Sequence, residues 1–426
     1  MRSSDRLHAL DAVRAFALLL GIVLHAAQSY VAGLGWVTAE TPNTGLAALW
    51  YTIHLFRMPL FFLIAGFFAR MLLESRGLAG FVKDRARRIL LPLVVGLPVV
   101  MLLTGVAYVL GSLASGADPR AIQGMHPPAA PIKHAFLTSI PLIHLWFLYY
   151  LLLFYAGAVL LRLASDSVFG PGRLQAAVDA IVRFLMRGPW GVLILSLPIV
   201  AYYAHLSGWS PWGGLPAPFY LVPDAGALIA YGLFFGFGWL LHRQPPVLLS
   251  LQNLYPLYSV LAIAAWIACR MIGGPTPHWG PYLQGGALLG YTLSYIVGAW
   301  AWSFALIGIA VRFLSGASAV RRYLADSSYW LYLMHIPVLF FFERMLHPLP
   351  WPGVVKFVLV VAGAMPILLL SYHYLVRFTF IGATLNGRRA LRSATEEGRA
   401  RTGDGSRRRR PGLSFHSATD RRRSVS

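Results

Sequence analysis

Cysteine is almost missing from these 426 residues: Cys269 stands alone, which excludes an internal disulfide and a four-cysteine metal site. It sits in an apolar run, where packing is the expected role. Charge is scarce as well. Only 12% of the residues are charged, about half the usual share of a soluble globular chain. No His-x-x-x-His pair or carboxylate cluster appears in a helical segment, so no metal site is expected. A Walker loop, a G-x-S-x-G elbow and a Rossmann glycine fingerprint are also missing, which removes the common nucleotide and hydrolase motifs. No internal repeat stands out of the kind found in transporters built from inverted halves.

What fills the chain is apolar. Hydrophobic residues make up 57%, and the mean hydropathy is +0.62. With 13 Trp and 20 Tyr for interfacial belts, this predicts an all-α polytopic membrane protein. A crossing needs about 20 mainly apolar residues. About ten transmembrane helices are expected, over 13–32, 49–73, 89–112, 142–163, 189–206, 224–242, 254–272, 286–314, 326–346 and 354–376. Pro and Gly clusters such as "GMHPPAAP" and "MIGGPTPHWGP" separate them. The first apolar stretch, from about Ala15 to Val31, is long for a signal peptide and lacks a clear small-x-small cleavage site, so a retained helix is expected.

The loops carry an orientation. Residues 74–88 hold Arg76, Lys83, Arg85, Arg87 and Arg88, and residues 164–188 hold Arg173, Arg183 and Arg187, whereas 33–48, 207–223 and 273–285 hold no Lys or Arg. The positive-inside rule then places both termini in the cytoplasm. Residues 1–380 form the membrane domain. Residues 381–426 are expected to be a disordered, Arg-rich cytoplasmic tail: from Asn386 onward twelve Arg face four acids, and no apolar period is present. Such a tail suits a topology anchor against anionic lipid. The net charge of +21 is thus spread over helix ends and tail, and nucleic acid is not the expected partner.

Several polar side chains interrupt the apolar spans. At about 100° per residue, the eleven steps from Arg14 to His25 come back to within about 20° of one meridian, with Asp11 about 60° from Arg14. The rise is about 16 Å, so His25 falls near mid-bilayer when Arg14 is at the cytoplasmic interface. In the second span His54 and Arg57 share a face near the outer end. His144 opens the fourth span at the outer interface, and His335 lies near the middle of the ninth, on a stripe with Ser328 and Tyr332. Each alone is compatible with a packing, capping or snorkelling role. Four histidines on four helices point instead to a shared polar cavity. Arg85 and Arg88, three apart at the cytoplasmic entrance, suit the phosphates of a nucleotide-bearing donor. Plain positive-inside charge explains their spacing equally well.

The opening "LDAVRAFALLLGIVLHAA", with ten residues between Arg14 and His25, resembles the membrane acyltransferase-3 family. So do "RARR" with Arg85 and Arg88, "HLWFLYYLLLFY", and "SSYWLYLMHIPV". The resemblance covers residues 6–380 and not the tail. Alanine replaces a usual serine at Ala65, and the lead-in "HLFRM" is similar to members that succinylate periplasmic osmoregulated glucans. The resemblance implies an O-acyltransferase of the bacterial inner membrane, using no permanently bound cofactor. Its donor would be cytoplasmic acyl-CoA (succinyl-CoA or acetyl-CoA), and its acceptor a hydroxyl of a periplasmic glucan, with a glucan synthase as a neighbour. Arg85 and Arg88 would bind the CoA phosphates, His25 would act as general base or as the acylated nucleophile, and Asp11 and Arg14 would brace the entrance. His335 would carry a second proton or stabilise the oxyanion, while His54, Arg57 and His144 would line the acyl or acceptor pocket. Acetylation of lipopolysaccharide, exopolysaccharide or another glycoside remains the alternative chemistry, and a proton-coupled transporter or flippase the alternative class.

Overall fold

A computed structural model describes residues 3–34, 42–116, 140–170, 172–206 and 208–386, without the side chains of residues 3–7. Of the tail expected to be disordered over 381–426, the first residues belong instead to a short helix, Phe380–Leu385; the rest after Asn386 and the "GMHPPAAP" loop lie outside the described residues. Among these residues every regular element is a helix. In order they are α1 (Ser3–Gln28), α2 (Thr44–Arg85), α3 (Leu91–Ala114), α4 (Trp146–Phe169), α5 (Arg173–Leu185) and α6 (Trp190–Tyr203). Then come α7 (Ala225–Leu241), α8 (Pro245–Gly273), α9 (Gly285–Phe313), α10 (Ala319–Leu346), α11 (Gly353–Ser371) and α12 (Phe380–Leu385).

Local chemistry sets several ends. Asn43 caps α2 by accepting from the Leu46 backbone N–H at 2.9 Å, and Asp224 caps α7 by accepting from Ala227 at 2.7 Å. Within α2 the backbone leaves the helix at Gly77, with φ 67° and ψ 178°, a conformation that L side chains rarely adopt. A π-helical turn, Ala86–Leu90, joins the segment beyond this break to α3.

Each of the ten expected segments falls on one of these helices, but among the described residues six stretches are long and apolar enough to cross a bilayer on their own. A seventh arises if α5 and α6, bent 110° apart, count as one. Helix α5 was not anticipated: residues 164–188 were expected to be loop, yet Leu174, Val178, Ile181 and their neighbours form an amphipathic helix. The protein is a helical, multi-pass membrane protein.

Helices α1, α2, α9 and α10 pack at the centre, with α7 against α2 and α8 against α9. The α2–α7 seam depends on two glycines. A Cβ on Gly66 would run into the Phe235 carbonyl, and one on Gly238 into the Leu63 carbonyl. Without a hydrophobic drive between helices in lipid, such close backbone approach is a main source of packing energy. Gly66→Ala is therefore expected to cost about 1–3 kcal/mol by overpacking, seen as a lower melting temperature in detergent. Gly157→Ala, at an α4 position with open space beside it, should leave the melting temperature unchanged or raise it. Outward-facing side chains such as Leu102, Leu161, Val260 and Met271 are large, apolar and exposed, as a lipid-facing belt requires.

Candidate active site

His25 lies in the last turn of α1 and is held by its own helix. Its Nδ1 is 3.1 Å from the Gln28 side-chain oxygen, and the Gln28 amide nitrogen donates to the Leu34 carbonyl at 3.4 Å. Because that nitrogen faces a carbonyl, the amide oxygen faces His25, and the ring donates from Nδ1. The lone pair of the neutral ring is thereby placed on Nε2.

One histidine reaches this ring from another helix, and a third reaches the second. The His335 ring of α10 is 5.2 Å from His25, centroid to centroid. His144, in a 3₁₀ turn (Ile143–Leu145) that leads into α4, is 4.8 Å from His335. Tyr332 ties the cluster together. Its hydroxyl donates to the His144 carbonyl at 2.8 Å, and its own carbonyl accepts from His335 Nδ1 at 2.7 Å. His335 therefore also carries its lone pair on Nε2, and that atom has no hydrogen-bond partner among the described residues. In this tautomer His335 can receive a proton, but can stabilise an oxyanion only after protonation.

Arg57 reaches the same place from α2. Its guanidinium lies against Gly21 of α1, one turn before His25, where a Cβ would collide with Nη1. The missing side chain at Gly21 is what admits the cation. Its Nε has no hydrogen-bond partner among the described residues. Arg57, His25, His144 and Tyr332 share the wall of a cavity with about 350 Å³ of space free of atoms, completed by Leu18, Phe61 and Trp146. A second cavity, with about 220 Å³ of such space, lies toward the C-terminal end of α1. His25 lines both.

Not every residue expected at the site joins it. His54 stacks on Trp50 at 4.5 Å and stands 3.4 Å from the Tyr295 hydroxyl. It lies one turn from Arg57 and lines neither cavity.

Farther along α1, Asp11 and Arg14 form an ion pair at 3.1 Å, and Arg14 lies over the Phe68 ring at 5.5 Å. Arg14 is within electrostatic range of Arg88, so the N-terminal end of α1 lies on the same side of the protein as the α2–α3 turn. There Asp84 organises the bases: Arg76 and Arg85 each contact it at 2.9 Å and Arg88 at 3.4 Å. Arg85 also donates to the Tyr155 hydroxyl at 3.3 Å. Its side chain is 17% exposed, against 31% for Arg88, so Arg88 has more surface to offer a ligand. The charged spacing "KDRARR" held this signal, since Asp84 is one and four residues before the two arginines. Tyr332 was expected only on a stripe with His335, and Gln28 and the second cavity were not anticipated; only the acid in "FFFERM" marked the last.

Comparison with known proteins adds what geometry alone leaves open. The acyltransferase domain family matches residues 7–373. Glucans biosynthesis protein C of Salmonella gallinarum is 26% identical over 415 residues, which cover 94% of this chain and 99% of that protein. The proteins of the same name from Salmonella paratyphi B and Salmonella heidelberg are each 25% identical, with the same coverage. No solved structure matches the chain.

Proposed function

We propose, on the premise that this chain belongs to the acyltransferase domain family matched over residues 7–373, that it moves an acyl group across the bacterial inner membrane. The chain is a membrane acyltransferase. In our reading the donor is cytoplasmic acyl-CoA, the acyl group is succinyl, and the acceptor is a hydroxyl of a periplasmic glucan supplied by a glucan synthase. The observation that carries this reading is the position of His25, which lines one cavity toward the N-terminal end of α1 and another toward its C-terminal end. A base reached from two cavities suits a reaction whose substrates arrive from opposite faces.

The topology is part of the proposal. Ten crossings with both termini in the cytoplasm accommodate the Arg-rich loops. The continuous stretch Thr44–Ala114 is 71 residues long, about 107 Å of helix at 1.5 Å per residue. That exceeds a bilayer core of about 30 Å more than threefold, and the break at Gly77 supports reading it as two crossings.

The chemistry follows from the groups present. Arg88, with Arg85 behind it, holds the CoA phosphates, and the Asp11–Arg14 pair braces the entrance beside them. The pantetheine arm carries the thioester to the cavity wall of His25, Arg57, His144 and Tyr332. The acceptor hydroxyl gives its proton to His25 Nε2 as its oxygen bonds to the thioester carbonyl carbon. The C–S bond then breaks, and the proton passes from His25 to the departing CoA thiolate. His335 Nε2 is a second proton acceptor beside it. In the alternative sequence Nε2 itself takes the acyl group and passes it on. The Arg57 cation supports succinyl over acetyl, since a free acyl carboxylate buried here needs a fixed partner.

Reconstitution in vesicles tests the reading. With succinyl-CoA on the face bearing the N-terminus and glucan on the other, mass spectrometry should find succinylated glucan. Placing the donor on the wrong face should give none. Equal transfer from either face, or transfer to no glucan at all, sinks the proposal.

A further inference from the structure

Glu343 has no part in the chemistry described so far, yet it is among the most conspicuous groups in the membrane domain. It sits within the run "LFFFERML" near the C-terminal end of α10, and only 6% of its surface is exposed. Its neighbour in the chain points elsewhere. Arg344 turns to α3, where Nε donates to the Ser112 hydroxyl at 2.8 Å and the guanidinium lies over the Tyr108 ring at 5.1 Å. The two adjacent charges thus serve different sides of α10, and Arg344 does not neutralise Glu343.

Glu343 points toward α1. Ser29 lines the same cavity as its carboxyl group, while Oε1 is buried with no hydrogen-bond partner among the described residues. An acceptor left so in a buried site is costly unless something supplies a donor. The carboxyl group lines the second cavity together with His25, Gln28 and Ser29, and the remaining wall is Ile336, Leu339 and Phe340. One side of this space is therefore polar and mostly hydrogen-bond-accepting, and the other is apolar. A saccharide has the matching chemistry, with hydroxyl donors around its edge and C–H groups on its ring faces.

We infer that this cavity is the acceptor-hydroxyl subsite and that Glu343 is its positioning residue. One hydroxyl of a saccharide unit donates to Glu343 Oε1, and this holds a second hydroxyl of the same saccharide against His25 Nε2. Glu343 exchanges no proton in this role. It orients the nucleophile, and its effect falls on acceptor affinity. The assignment rests on the transferase reading above and names the side on which the saccharide enters.

The test uses the full chain in detergent, with succinyl-CoA as donor and periplasmic glucan from cells lacking this chain as acceptor. Glu343→Ala is expected to raise the acceptor KM about two- to tenfold, the range of one neutral hydrogen bond, with the donor KM unchanged. Glu343→Gln, nearly isosteric and still able to accept a hydrogen bond, should fall between wild type and Glu343→Ala. It also keeps the question open to measurement if the alanine variant fails to fold. Equilibrium binding of the glucan without donor should weaken in the same order. A fall in kcat or a rise in donor KM at constant acceptor KM overturns the inference, as does unchanged glucan binding in both variants. Should the wild type bind glucan through Glu343 yet transfer nothing from succinyl-CoA, the donor reading fails while this subsite stands.

Discussion

His25→Ala is expected to lower acyl transfer by at least about a thousandfold, within the 10²–10⁴ range of a well-placed general base. The argument rests on how the ring is held. Gln28 accepts from Nδ1 at 3.1 Å and is itself turned by the Leu34 carbonyl, so the lone pair sits on Nε2 of a ring that lines both cavities. Alanine removes that lone pair and little of the packing, because the ring borders open space on two sides. The melting temperature should therefore change far less than the rate. Gln28→Ala leaves the base in place but releases its tautomer, and should cost only about two- to tenfold, the value of one neutral hydrogen bond. The two reaction sequences separate in the same assay. In direct transfer, His25→Ala retains the slow reaction that bound substrates sustain by proximity. An acyl-histidine route leaves no transfer above background, and quenching the wild type with labelled donor alone should trap label on the protein. A His25→Ala variant that transfers at the wild-type rate would remove His25 from the chemistry.

How much of this was legible beforehand depended on range. The Arg14–His25 stripe is a property of one helix, and helical arithmetic alone placed Asp11 and Arg14 together at one end with His25 a dozen residues away. The structure adds the 3.1 Å ion pair without altering the stripe. That His25, His144 and His335 meet was an inference from several polar groups in apolar spans, each of which needs a polar neighbour. Their ring contacts at 4.8 and 5.2 Å match that expectation. His54 shows the limit. Its spacing to Arg57 put both on one face, but helix rotation sends its ring to Trp50 and Tyr295. Periodicity describes a helix against its own axis and says nothing of how that axis is turned toward its neighbours. Gly21 was invisible for the same reason, since its importance lies in an arginine from another helix. The break at Gly77, by contrast, is local, and only the left-handed backbone there separates a long continuous helix from a bent one.

Arg57→Met should invert the choice of donor. A succinyl group brings a carboxylate into a cavity whose wall holds Phe61, Trp146 and a single fixed cation among its lining residues. Removing the partner of a buried charge costs about 3–5 kcal/mol, which corresponds to a fall of about 150- to 4000-fold in kcat/KM for succinyl-CoA. Acetyl-CoA has no charge to be stranded, so its kcat/KM should change by no more than about threefold, the scale of ordinary packing adjustments. Methionine fits the test because it is long, flexible and apolar, and fills the space beside Gly21 without a charge. Competition between the two donors, read as the succinyl-to-acetyl ratio on one glucan, removes differences in protein amount. Arg57→Lys refines the result. An ammonium keeps the charge but not the planar fork that meets a carboxylate with two parallel bonds, so part of the succinyl preference should return. Equal losses with both donors would instead place Arg57 in the support of His25, because a cation serving the base affects every acyl group alike. Full succinyl transfer in Arg57→Met would leave the carboxylate without its assigned partner and return the acyl group to an open question between succinyl and acetyl.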